Sequence, residues 1–377
     1  MKRYLDTLVL TDLATKSVVL TGPRQVGKTT LSRQLMQSFD RAQYLNWDVL
    51  ADRRVLQRQS WNPRAGLLVL DEIHKMPNWK VWLKGVTDGR LAGQALLVTG
   101  SARMETFRKT GDSLAGRYFS FRLHPLSVRE WCEQQNVDPA TALDHLLERG
   151  GFPEPCLAAD SIQADRWRAQ YFTDLIREDV LEFSRLHEIN TMRLFVELLR
   201  ERVGSPLSLA SIARDLAVAP ATLKRYLEIL QALFIVFTVH PWHRNVGRAI
   251  LQTPKVYFFD SGLVRGDQGV RLENAVAGML LKQAHFLQDS AGREVNLHYI
   301  RTKDGAEVDF AFSEAGELKQ LIECKWGDNK PHRALASFAA QFPDTDAVQI
   351  VYNLRQEEFR NGIRIMDAAT WLAQLAA

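Results

Sequence analysis

The sequence is short of cysteine, of net charge and of long apolar runs, and each shortage excludes something. Its three cysteines are Cys132, Cys156 and Cys324. An odd count without close spacing gives neither a disulfide framework nor a metal pattern, and suits a reducing compartment. A formal charge of +4 over 377 residues says little by itself about partners. The apolar stretch at 229–239 is too short to span a bilayer. Near the start, Asp6, Thr7, Thr11 and Asp12 interrupt any signal-peptide pattern. The expectation is a cytoplasmic protein without a membrane partner. The length suggests two or three domains of about 150 residues. A composition of 46% hydrophobic and 24% charged residues is ordinary for a soluble globular chain.

What the sequence does have is concentrated. Residues 18–21 are an apolar run ending in a threonine. Gly22, Pro23, Arg24, Gln25 and Val26 follow, and Gly27, Lys28, Thr29 and Thr30 open a helical stretch expected over 28–39. This is the G-x-x-x-x-G-K-[ST] spacing, with a strand before it and a helix after it. The glycines let the backbone curl so that successive N–H groups form an anion nest. The helix N-terminus adds partial positive charge. The loop is expected to cradle the phosphates of ATP, with Lys28 reaching the β- and γ-phosphates and the Thr29 hydroxyl serving as a ligand of Mg2+.

A second signal lies at 66–72. Leu67, Leu68, Val69 and Leu70 are apolar on both faces, as a buried parallel strand requires, and the strand ends in Asp71 and Glu72. The aspartate can hold Mg2+ through water, and the glutamate can polarise the attacking water. A third apolar strand, 95–99, leads to Gly100 and Ser101, whose hydroxyl is expected to orient that water. Arg117 follows Gly116 at the start of another strand. An arginine lent by a neighbouring subunit can neutralise charge building on the γ-phosphate. Arg103 is a rival for that role, and for each the plainer alternative is a surface ion pair.

Strands are expected at 17–21, 42–46, 67–71 and 95–99, and helices at 28–39, 48–58 and 79–90. The alternation implies an α/β domain over 1–125, a mostly parallel sheet with ligands at the strand C-termini. Residues 126–190 read as a helical lid or connector, broken at Gly150-Gly151-Phe152-Pro153. Residues 191–254 carry a helix-turn-helix pattern. A helix over 192–203 ends at Gly204-Ser205-Pro206, Ser208 caps a second over 209–216, and a third runs over 221–233. The β-rich 234–239 would begin a wing. Residues 191–250 hold eight Lys/Arg against four Asp/Glu, an excess equal to that of the whole chain. In a DNA reader the N-terminal residues of the second helix of the motif lead into the major groove. Here they are Thr222, Lys224 and Arg225. A winged helix used only for packing or oligomer contacts is the alternative.

Residues 255–377 read as a second α/β unit. Strands are expected at 255–259, 296–301, 307–312, 321–326 and 347–352, with helices at 271–281 and 332–342 and at the end. Positions i and i+2 of a strand share a face. A tight hairpin would thus bring Asp309, Glu323 and Lys325 together, and Glu273 on the preceding helix would complete the cluster. Carboxylates with one lysine are the composition of a Mg2+-dependent phosphodiester hydrolase. The alternative is alternating charge on a solvated strand.

With these motifs the chain resembles a widespread prokaryotic family of AAA-type (AAA+) P-loop ATPases. The C-terminal half of that family is a domain of unknown function with a restriction-endonuclease-like, PD-(D/E)xK-like core. The resemblance covers nearly the whole chain. It rests on residues 22–29 and on Leu70-Asp71-Glu72-Ile73-His74-Lys75-Met76-Pro77-Asn78-Trp79. It rests too on residues 97–101, Ala115-Gly116-Arg117, Gly150-Gly151-Phe152-Pro153 and 256–263, and on Glu307-Val308-Asp309-Phe310 with Ile322-Glu323-Cys324-Lys325. It implies ATP hydrolysis in an AAA-type homo-oligomer, a ring. It carries over Lys28, Thr29, Asp71 and Glu72 as nucleotide-site residues, Ser101 as a sensor and Arg117 as the finger. The leading expectation is an oligomeric ATPase that binds and remodels duplex or branched DNA. An ATP-regulated nuclease using Glu273, Asp309, Glu323 and Lys325 is a second, and a nucleotide-dependent switch acting on a protein partner a third.

Overall fold

A computed structural model describes residues 1–100, 116–175, 186–243, 252–302, 304–327 and 330–377. The chain divides into two compact units, Met1–His124 and Pro125–Ala377.

The first unit runs α1 (Asp6–Leu13), β1 (Ser17–Thr21), α2 (Lys28–Met36), β2 (Gln43–Asn46), α3 (Leu50–Arg58), β3 (Leu67–Asp71), α4 (Trp79–Asp88), β4 (Ala95–Thr99) and β5 (Tyr118–Arg122). Its strands form one sheet in the order β2-β3-β4-β1-β5, and every neighbouring pair is parallel. Parallel strands need crossovers, usually helices, that cover the sheet faces. Hence β1, β3 and β4 are buried at every residue, whereas the edge strand β2 buries only Leu45. Leu56 of α3 and Trp79, Leu83 and Val86 of α4 pack with Leu45, Leu70 and Val98 in one core. The four strands expected within residues 1–100 form within one residue of their expected bounds, while α2 stops early, at Met36.

The order of strands positions the site. Because β4 lies between β1 and β3, Thr99 stands in register with Leu20 on one side and Asp71 on the other. The loop after β1, the end of β3 and the end of β4 therefore meet at the C-terminal end of the three central strands.

The second unit begins with α5 (Val128–Gln135), α6 (Pro139–Arg149), α7 (Pro153–Cys156), α8 (Ser161–Leu175), α9 (Leu186–Arg200), α10 (Leu209–Asp215) and α11 (Pro220–Ala232). Local signals set several helix starts. Ser127 and Glu130 form a capping box on α5, Asp138 caps α6 with Pro139 in its first turn, and Ser208 accepts from the Ser211 N–H at α10. Then come β6 (Val236–Pro241), β7 (Lys255–Phe258), α12 (Gln268–Ala291), β8 (Val295–Arg301), β9 (Glu307–Glu314), β10 (Glu317–Lys325), α13 (Arg333–Gln341), β11 (Asp346–Val351), β12 (Glu358–Arg360), β13 (Ile363–Asp367) and α14 (Ala368–Ala373).

These strands form a mixed sheet in the order β12-β13-β11-β10-β9-β8-β6-β7. The run β8-β9-β10 is antiparallel, and β10-β11-β13 is parallel. The long α12 packs on β7 to β10, and α13 on β9, β10, β11 and β13. The border expected at 254/255 falls inside a hairpin. There β6 and β7 pair antiparallel, with Val239 opposite Lys255, and β6 also runs parallel to β8 through His240 and Pro241. The strand expected at 234–239 to begin a wing is thus continuous with the C-terminal sheet. The hairpin of β12 and β13 adds two strands where only a terminal helix was expected. Its turn residues Asn361 and Gly362 have φ of 54° and 76°, and an Asn-Gly pair is a strong local hairpin signal. Among the described residues no helix is long and apolar enough to cross a membrane.

Candidate functional site

The loop between β1 and α2 is held in shape by backbone geometry. Gly22, Gln25 and Gly27 have φ of 144°, 58° and 103°. A Cβ on Gly22 would collide with the carbonyl oxygen of Leu123, whose N–H donates to Thr21 O at 2.8 Å. Only glycine permits that approach at this φ. From the N-terminus the buried Arg3 donates to Val26 O at 2.9 Å and to His124 O at 2.5 Å. Arg3 thereby ties the loop to the end of β5.

Lys28 is 7% exposed. Its ammonium donates to Gly22 O at 2.9 Å and Pro23 O at 2.6 Å, spanning the loop from inside. Burial pulls its pKa down to about 8, against the opposing pull of Glu72 and Asp71. Thr29 Oγ1 donates to Asp71 Oδ2 at 3.2 Å. Asp71 also accepts from Thr99 Oγ1 and from the hydroxyl of Tyr44 on β2. Burial, and then the bond to Asp71, push Tyr44 up to about 12, so it stays a donor at any working pH.

Glu72 takes a left-handed backbone, φ 57°, rare for a side chain of its size. Its N–H donates to Thr99 O at 3.0 Å, which fixes the turn. Its carboxylate lies 3.3 Å from Lys75 Nζ and 3.5 Å from His74 Nε2, and burial raises its pKa. Arg117 stands at the unit's surface in a two-pronged pair with Asp88 at the end of α4, at 2.7 and 3.3 Å. Ser101 and Arg103 lie outside the described residues.

This donor set fits a triphosphate with a divalent cation. The left-handed loop offers a backbone cradle that a side chain on Gly22 would fill, and a cation stands inside it. The hydroxyl of Thr29 and the carboxylate of Asp71 are the hard oxygen ligands that Mg2+ takes. Arg3 and Tyr44 carry no motif signal; both are recognisable only once distant strands are brought together.

In the second unit Glu273, Asp309, Glu323 and Lys325 do come together, joined by residues outside the expected pattern. Lys255, 1% exposed on β7, lies 2.7 Å from Glu307 Oε1, 3.3 Å from Glu273 Oε1 and 3.8 Å from Asp309 Oδ1. Tyr257 donates to Glu273 Oε1 at 2.7 Å. Glu323 Oε1 is 2.6 Å from Lys325 Nζ and 3.0 Å from His332 Nδ1. Burial, and then Asp309, push Glu273 up to about 7 and Glu323 up to about 8. Among the described residues no group of three or more His, Cys, Asp or Glu is placed to hold a metal.

On α11, Leu223, Tyr226, Leu227 and Leu230 are buried while Lys224 and Arg225 are exposed and Thr222 is half-buried. Two further motifs meet around a buried ion pair. Arg168 Nε is 3.0 Å from Asp260 Oδ2. A Cβ on Gly150 would strike the Asp260 carboxylate, and one on Gly262 the Arg168 guanidinium. The glycines of 150–153 and 260–263 thus make room for a structural pair.

Fold and loop together define an AAA-type P-loop ATPase. Residues 14–132 match a family described as "AAA domain", residues 140–271 a "Domain of unknown function (DUF8612)" and residues 268–371 a "Domain of unknown function (DUF4143)". The uncharacterized proteins Rv2008c of Mycobacterium tuberculosis and Mb2031c of Mycobacterium bovis are each 30% identical over 315 residues, covering 79% of this chain and 68% of theirs. The chain belongs to their family. An uncharacterized protein of Haemophilus influenzae is 24% identical over 356 residues, covering 84% of each chain. The Walker-type ATPase PABY2304 of Pyrococcus abyssi is similar at a TM-score of 0.43 and 13% identity, over 68% of this chain and 93% of that one, a likeness too loose to argue from.

Proposed function

We propose that the protein is a homo-oligomeric ATPase, a ring, that binds and remodels duplex or branched DNA. The observation that carries the ATPase half is the meeting of Lys28, Thr29, Asp71 and Glu72 at the C-terminal end of the central strands. Residues 22–30 bind the triphosphate through backbone N–H groups and the Lys28 ammonium. Thr29 and Asp71 hold Mg2+, which when bound supplies charge to the β- and γ-phosphate oxygens. Glu72 orients a water toward the γ-phosphorus and accepts its hydrogen bond. The water oxygen bonds to phosphorus, the bond to the bridging oxygen breaks, and ADP and phosphate leave. Ser101 orients the same water. Arg117, donated to a neighbour's site, neutralises transition-state charge in place of its pair with Asp88.

The DNA half is supported by Lys224 and Arg225, exposed near the start of α11 beside the half-buried Thr222, with a β-hairpin following that helix. We read these helices and hairpin as a winged helix, and the C-terminal sheet as restriction-endonuclease-like. The protein works in the cytoplasm. Gel shift and ATP turnover, each with and without DNA, test the reading. Binding at low salt that weakens as salt rises, through loss of phosphate contacts, and weakens in Lys224→Ala/Arg225→Ala is expected. No binding at low salt would remove the DNA role and leave the ATPase reading standing.

A further inference from the structure

We infer that the ammonium of Lys255 holds the cation position of the C-terminal carboxylate cluster. The cluster is then a charge-closed strut that takes no divalent metal and cleaves no phosphodiester.

The pattern Asp309…Glu323-x-Lys325 after a helix glutamate suggests a metal-dependent hydrolase, and the residues do converge. Yet they converge on a lysine that the pattern does not contain. Lys255 opens β7, more than fifty positions before Asp309, and reaches Glu273 on α12 and Glu307 and Asp309 on β9. Burial alone would lower its pKa; Glu273, Asp309 and Glu307 outweigh that and raise it, so the nitrogen stays charged.

Each carboxylate also has a further protein donor. Tyr257 serves Glu273, Arg301 Nη1 serves Glu307 Oε2 at 2.9 Å, and the Cys324 N–H serves Asp309 Oδ2 at 3.0 Å. Glu323 receives the Asp309 N–H at 3.2 Å, besides Lys325 and His332. The four carboxylates thus face the cations Lys255, Lys325 and Arg301, and burial with Asp309 pushes Glu273 and Glu323 toward their neutral acids, so the cluster lies close to neutrality without any added ion. Space is closed on the Glu273 side as well. A Cβ on Gly204 would stand 2.8 Å from Glu273 Oε2, so the loop after α9 lies directly against that carboxylate. Mg2+ demands near-octahedral oxygen ligation, usually with several waters, and a dication here would sit beside a buried ammonium. The metal that a nuclease-like fold implies does not fit these residues.

The test is Mn2+ binding to the full chain, counted by the loss of free-ion paramagnetic resonance, without nucleotide. Asp71→Asn is the parent, to silence the ATP site. The expected result is no bound Mn2+ in the parent up to about 1 mM, the weak end of protein cation sites, and one bound ion per chain after Lys255→Ala. Glu273→Gln added to Lys255→Ala abolishes that ion. If Lys255→Ala melts early, Mn2+ raises its melting temperature and leaves the parent's unchanged. A bound ion in the parent that Asp309→Asn removes overturns the inference. So does a folded Lys255→Ala protein that gains no ion. Should Lys255→Ala not fold at all, the parent's titration decides alone. Plasmid nicking with Mn2+ that Asp309→Asn abolishes overturns it too, and leaves the ATPase and DNA readings untouched.

Discussion

Thr29 and Asp71, 42 positions apart, are joined by a 3.2 Å hydrogen bond from Thr29 Oγ1 to Asp71 Oδ2. The same carboxylate collects the hydroxyls of Thr99 and Tyr44, so one aspartate ties together the phosphate loop and strands β2, β3 and β4. Hydrogen bonds to a charged acceptor contribute about 1.5–3 kcal/mol. Tyr44 is partly exposed, so the lower end applies. Tyr44→Phe is expected to cost about 1.5 kcal/mol in urea unfolding. It should also raise the Mg2+ concentration for half-maximal ATP turnover, because Asp71 loses one of the groups that orient it. An unchanged Mg2+ dependence would show that Tyr44 does not orient the carboxylate.

Lys28 gives a pH prediction. In the folded protein burial holds it near 8, below its ordinary 10.5. A bound triphosphate favours the ammonium and raises that pKa. Binding must therefore take up a proton where free Lys28 is partly neutral, from about pH 7.5 upward. ATP affinity should be flat near pH 6.5 and fall as pH rises through 8. Calorimetry in buffers of different ionisation heat reads the uptake directly, and Lys28→Met should show none.

Arg168 and Asp260 are both nearly fully buried. Removing one partner leaves the other's charge uncompensated, at a cost of about 3–5 kcal/mol. Asp260→Ala should lower the second unit's stability by that order in denaturant. Replacing both by apolar residues should cost less, since well-packed hydrophobic pairs often match buried ion pairs. ATP affinity should not move in either variant.

How much of this was legible in the sequence depended on how local each signal was. The apolar runs of β1, β3 and β4 are buried throughout, as their composition required, and Gly22 to Thr29 specify their own loop by spacing. Asp71 and Glu72 are legible because they end such a run. Arg3, Tyr44 and Lys255 are not, because a buried polar side chain declares itself only through partners brought from other elements. For Lys255 the consequence was large: the acids and Lys325 met as their alternation implied, yet the residue that sets their chemistry sits on another strand. The Asn361-Gly362 turn was a local signal, and with it the last hairpin was available from sequence.

Arg117 is paired at the surface with Asp88, and exposed pairs contribute little to stability. Arg117→Ala should therefore fold and bind ATP normally. If it serves a neighbouring subunit, turnover falls by at least about a hundredfold. Mixing it with Lys28→Ala subunits should restore part of that activity, because an intact loop then meets an intact arginine. No recovery on mixing, with mixed oligomers present, would count against a shared site.

The most direct test of the whole account is release of inorganic phosphate from ATP by the purified full chain with Mg2+. The account predicts turnover by the unaltered protein, a loss of at least about a hundredfold in Lys28→Ala, and bound but uncleaved ATP in Glu72→Gln. No release by the unaltered protein, or equal release by Lys28→Ala, would contradict it.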